Sequence, residues 1–125
     1  MLKIATILPY KENYSRTKAA AASLWVYDFF KHSNLKKNNY IFGSTDAKDY
    51  LSNNYINISI KDSSSKLVST TNQYCNGLIK KIVGKKFDIV EIHNRPLVFN
   101  TLKKKLNSNF IIYYCHSLPP KVVDI

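Results

Sequence analysis

His93, Asn94 and Arg95 stand together directly before Pro96, in a chain whose only other arginine is Arg16. Their neighbours define where they sit. Phe87, Ile89, Val90 and Ile92 form a short β-branched and aromatic run, the pattern of a buried strand. Pro96 then opens a series, Leu97, Val98, Leu102 and Leu106, at the spacing of an amphipathic helix. The polar trio is therefore expected at the carboxyl end of a strand and the amino end of the following helix. In open α/β sheets ligands bind there, because backbone N–H groups point outward and the helix dipole favours anions. Arg95 could grip a phosphate through its fork of donors, or simply be solvated at the helix start.

Other chemistries lack their residues. The sequence has no Gly-x-Gly-x-x-Gly, no P-loop lysine and no serine nucleophile elbow. His93 and His116 have no third ligand at metal spacing, and two cysteines, Cys75 and Cys115, cannot make a disulfide framework. No metal or cofactor is expected.

The positioning elements alternate along the chain. Ile4 to Leu8 reads as a first strand covered on both faces, ended by Pro9. Ser15 is a candidate cap for a helix from about Arg16 to His32, with Ala20, Leu24, Tyr27 and Phe30 on one stripe. Tyr40 to Gly43 is a second strand, and Asp46 to Leu51 a helical turn. Tyr55 to Ile58 is a third strand near the sheet edge. Leu67, Thr71, Tyr74, Leu78 and Ile82 mark a long helix, and Phe110 to Tyr114 a fifth strand. Strands separated by helices imply right-handed crossovers and an α/β, Rossmann-like, doubly wound parallel sheet of about five strands, with helices on both faces and the first strand central.

Composition bounds the rest. A chain of 125 residues with 45% hydrophobic content suits one domain, spanning 1–125. After the fifth strand, two prolines follow in Leu118 to Ile125 where such a domain would ordinarily continue, so the chain is expected to be incomplete at its carboxyl end. The net charge of +11 is carried almost wholly by lysine, alongside abundant Asn, Ile and Tyr, which fits coding bias better than nucleic-acid reading. No nucleic-acid partner is expected. The first residues make no signal peptide and no run is long enough to span a membrane, so a cytoplasmic location is expected.

Together these features resemble the amino-terminal domain of a family 4 glycosyltransferase, of GT-B architecture. The features that carry the likeness are the order of elements, the small-residue stretch after the first strand, Glu91-Ile92-His93-Asn94-Arg95-Pro96, and Tyr113-Tyr114-Cys115-His116. The resemblance implies a retaining transfer of a sugar from a nucleotide-sugar donor to a hydroxyl acceptor, glycan or lipid-linked, with possible peripheral contact at the inner membrane face. His93 matches the family's histidine that contacts the donor sugar. His116 matches the family's frequent histidine after the fifth strand, another cleft-facing position, and Asn94, Arg95 and Ser117 beside these histidines are expected to bind substrate. Lys18, Ala19 and Ala20 stand where the family has a Gly-Gly loop at the donor diphosphate, and alanine departs from that pattern because it avoids φ > 0. The family's carboxy-terminal nucleotide-binding domain is not within these residues, so the 125-residue chain alone is expected to be inactive and to need that partner domain. The competing reading is a non-catalytic basic module that meets an anionic membrane surface or polyanion through its lysines.

Overall fold

In the computed structural model, the structure describes residues 3–19, 21–33, 38–60, 70–82, 85–93, 95–106 and 110–114. Five strands, β1 (Ile4–Tyr10), β2 (Asn39–Ser44), β3 (Tyr55–Asn57), β4 (Ile89–His93) and β5 (Phe110–Tyr114), alternate with helices. The helices are α1 (Ala21–Lys31), α2 (Thr70–Ile82) and α3 (Pro96–Lys105). The sheet order is β3-β2-β1-β4-β5 and every pairing is parallel. β1 is central. The order reverses between β1 and β4, which makes the carboxyl ends of those strands the switch point of a Rossmann-like sheet.

Alternate residues of β1 feed two cores, as the two-residue period of a strand requires. Ala5 and Ile7 pack with Phe42, Val90 and Ile92 beneath Tyr74 and Leu78 of α2 and Val98 and Leu102 of α3. Ile4 and Leu8 pack with Ile41 and Tyr55 against Ala22, Val26 and Phe30 of α1. Both faces of the sheet are thus covered, which is why β1 shows almost no polar alternation.

Local chemistry adjusts several expected boundaries. Pro9 does not end β1. It lacks an N–H for the ladder, and the register to β2 slips between Ile7 and Tyr10 before the strand closes. The Tyr74 hydroxyl donates to the Leu8 carbonyl, tying α2 to this irregular end. Ser15 caps only a turn, since its Oγ accepts the Lys18 amide at 2.9 Å and the helix begins at Ala21. The buried face of α1 is Ala22, Ser23, Val26 and Phe30, whereas Leu24 from the expected stripe is exposed. In α3, Leu97 is 69% exposed and Phe99 takes its place in the core. Residues 46–51 form no helix. Phe87 precedes β4 instead of joining it, its ring set edge-on to Tyr40 and Phe42. Leu67, from the expected stripe of α2, lies outside the described residues.

Candidate functional site

Two groups of polar residues gather around β1, one running across the sheet and one at its carboxyl edge. The first belongs to β4. Glu91 and His93 are two residues apart, so both project to the α1 face, and both are buried. The Thr6 hydroxyl of β1 donates to Glu91 Oε2 at 3.2 Å and accepts from Asn39 Nδ2 of β2 at 2.8 Å. A polar line therefore crosses three strands. Burial pushes the Glu91 carboxyl above its ordinary pKa, against the lowering effect of the Thr6 hydrogen bond. His93 closes β4 at the switch point, and the Trp25 indole of α1 lies against its ring with centroids 5.6 Å apart. Trp25 stacks in turn on Phe29 at 5.2 Å.

The amino end of α1 is held from within the chain. Glu12 Oε1 accepts the Ala22 amide at 2.9 Å, a carboxylate at the positive end of the helix. Positive φ among the described non-glycine residues occurs only at Lys11 and Lys86, so Ala19 and Ala21 keep the backbone that alanine prefers. Lys18 is exposed and Ala19 half-buried. Arg95 is exposed at the amino cap of α3, in an extended conformation, and its side chain makes no capping bond. Asn94, His116, Ser117 and Ala20 lie outside the described residues.

The second group surrounds a cavity of about 580 Å³ at the carboxyl ends of β1, β2 and β3. Tyr10, Lys11 and Lys18 line it from the first strand and its loop, Thr45 and Lys48 from the loop after β2, and Asn57 from β3. Its wall is braced by pairing between the two loops. The Arg16 amide donates to the Asp49 carbonyl at 2.9 Å, Ser15 bridges Tyr50, and the Thr17 amide and hydroxyl both donate to Asp49 Oδ2. Those Thr17 bonds hold the Asp49 carboxyl below its ordinary pKa. Tyr14 stacks on Tyr55 at 5.2 Å, Tyr50 packs on the same ring at 4.6 Å, and the Tyr14 hydroxyl bonds Ser52 at 2.7 Å. Asn57 Oδ1 accepts the Thr45 amide and the Tyr55 hydroxyl, each at 2.9 Å, fixing the floor.

The structure brings Lys18 to this cavity, while His93 and Arg95 are not among its lining residues. The cavity itself escaped sequence reasoning. Lys11 and Lys18 lie in the loop after β1 and Lys48 in the loop after β2, with no motif to join them, and Tyr14, Tyr50 and Tyr55 converge only through the fold.

Among the described residues no group of histidine, cysteine and carboxylate side chains could hold a metal, and no helix is long and apolar enough to cross a membrane. No family model, no curated protein and no solved structure matches the chain.

Proposed function

We propose that the chain is the amino-terminal, acceptor-side domain of a retaining glycosyltransferase that passes a sugar from a nucleotide-sugar donor to a hydroxyl acceptor. The observation that carries this reading is the position of His93. It ends β4 beside β1, where the strand order reverses, with a ligand-sized cavity along the same edge of the sheet. In the transfer, the bond between the anomeric carbon and the diphosphate oxygen breaks and a bond to the acceptor oxygen forms. The acceptor's proton leaves with the diphosphate. His93 hydrogen-bonds a hydroxyl of the transferred sugar, as the family likeness implies, and a hydrogen bond aimed at the reacting ring steadies the charge that develops on it. Its ring is buried in the structure, so the sugar reaches it once Trp25, itself 38% exposed, turns aside. Glu12 at the start of α1 already occupies the amide that a diphosphate would seek there, so in this reading the diphosphate is held by the carboxy-terminal nucleotide-binding domain.

The test uses the complete product of the reading frame that holds these residues, given a panel of nucleotide-sugar donors with glycan and lipid-linked acceptors. Acceptor-dependent release of the nucleoside diphosphate is the expected result. Absence of release with every donor contradicts the proposal.

One observation favours the second reading, a basic binding module. Lys80 and Lys81 end α2, and Lys103, Lys104 and Lys105 end the neighbouring α3. The helix dipole alone favours lysine in a last turn, which weakens the case for a partner there. Binding through such charges falls steeply with salt, whereas a glycan cleft keeps its ligand.

A further inference from the structure

We infer that the cavity at the carboxyl ends of β1, β2 and β3 is a subsite for an anionic group, a phosphate or a carboxylate, held by Lys11, Lys18 and Lys48. On the transferase reading, from which the inference borrows only the name, this group belongs to the acceptor. Three lysines meet one carboxylate, Asp46, among the lining residues. None of the three ammonium groups is paired with a carboxylate among the described residues. The other two acidic side chains of these loops are already engaged, Glu12 with the Ala22 amide and Asp49 with Thr17. The excess of positive charge at the mouth is therefore left for a ligand, and a charge-assisted hydrogen bond from an ammonium group to an anion is among the stronger polar contacts.

Shape supports the same assignment. The volume falls in the range of small-molecule sites, about 300–1,000 Å³. The wall is already braced by the loop pairing around Asp49 and by the Tyr14, Tyr50 and Tyr55 rings, so little ordering remains to be done on binding. Lys11 is held at φ 66°, a conformation that a side-chain-bearing residue rarely adopts, and its ammonium group lies 5.6 Å from the centre of the Tyr10 ring at the mouth. The Thr45 amide and hydroxyl donate to Asn57 Oδ1 and Asn13 Oδ1, and the Tyr55 hydroxyl donates to the same Asn57 oxygen, so the bonds that fix this part of the wall are made within the chain. Lysine suits this task because its charge is a point on a flexible stem, able to follow an anion of more than one shape.

The probes are sn-glycerol 3-phosphate, glucuronate, and phosphatidylcholine vesicles with and without phosphatidylglycerol, titrated into the 125-residue chain by calorimetry and amide chemical shifts. Saturable binding is expected, with shifts confined to residues 10–18, 44–48 and 57–60. The triple variant K11Q/K18Q/K48Q should weaken it by about tenfold or more, and Lys48→Gln alone, at an exposed rim position that folding does not need, by about threefold. K103Q/K104Q/K105Q, at the far end of α3, should change it by less than about twofold. Binding of the soluble phosphate or of glucuronate without the vesicles assigns the anion to a soluble glycan acceptor, and binding of the anionic vesicles assigns it to a lipid headgroup. Either supports the subsite. No binding of any probe overturns the inference, as does equal loss in the triple variant and the α3 variant. Lysine-dependent binding in a protein that transfers no sugar would remove the transferase reading and leave the subsite. Transfer by the complete product that is untouched by the triple variant would do the reverse.

Discussion

Glu91 is a carboxylic acid in an environment that disfavours its charge. It is an acid on the central pair of strands, buried beside Thr6, with its carboxyl pKa raised by desolvation. A raised folded-state pKa means that the folded chain holds the proton more tightly than the unfolded one. Its favourable contribution is full below the ordinary carboxyl range and is lost as pH rises through the raised value. Glu91→Gln keeps an oxygen for the Thr6 hydroxyl and removes the buried charge. The variant should therefore be more stable than the parent at neutral pH, and should lose that advantage under mild acid, as urea unfolding at the two pH values would reveal. Thr6→Val probes the same line from its centre. It strips a donor from Glu91 and an acceptor from Asn39 Nδ2, and should cost about 1–3 kcal/mol in the same measurement. The sequence revealed that Glu91 precedes a strand-end histidine. It could not reveal Thr6 and Asn39 as its companions, because strand register joins them across 85 and 33 positions of chain.

At the scale of elements, strands were more legible than helices. Ile4 to Leu8 shows itself because a strand covered on both faces has to be apolar throughout, and Phe110 to Tyr114 by its unbroken β-branched and aromatic run. The start and phase of α1 were not legible. Leu24, Trp25 and Phe29 are apolar yet exposed, so the helix carries no polar stripe from which to read its orientation. Its true start follows from Glu12 reaching the Ala22 amide, a bond between a loop and a helix that periodicity does not encode. In α2, Gly77 lies against Ile58 so closely that a methyl group added there would collide with the Ile58 Cγ2 methyl. That methyl hangs from a branched, buried carbon and cannot swing away. Gly77→Ala should thus destabilise by about 1–3 kcal/mol in spite of the helix propensity that alanine adds. Combining it with Ile58→Ala should cost less than the sum of the single changes, and a thermal-unfolding double-mutant cycle measures the difference. Additive costs would mean that the helix approaches Ile58 less closely than the structure has it.

For the molecule as a whole, two places gather several lysines each. The last turns of α2 and α3 carry five lysines, and the cavity at the carboxyl edge of the sheet carries Lys11, Lys18 and Lys48. With a net charge of +11 the chain repels itself, so its thermal midpoint should rise as sodium chloride is raised from about 0.02 to about 0.3 M. A midpoint that falls would show attractive pairs to outweigh that repulsion. The architecture was legible from the alternation of elements, and the switch point with it, because topology follows from crossover rules more than from any single residue. The proposed catalytic role of His93 rests on its place at that switch point. In the complete product of the reading frame, His93→Ala should lower turnover by about ten- to a thousandfold, the loss expected of one hydrogen bond of ~1.4–4 kcal/mol to the reacting sugar. Nucleotide affinity should change little, and Lys104→Ala on the exposed side of α3 should leave turnover intact. Full turnover after His93→Ala, or an equal loss from both substitutions, would contradict the account.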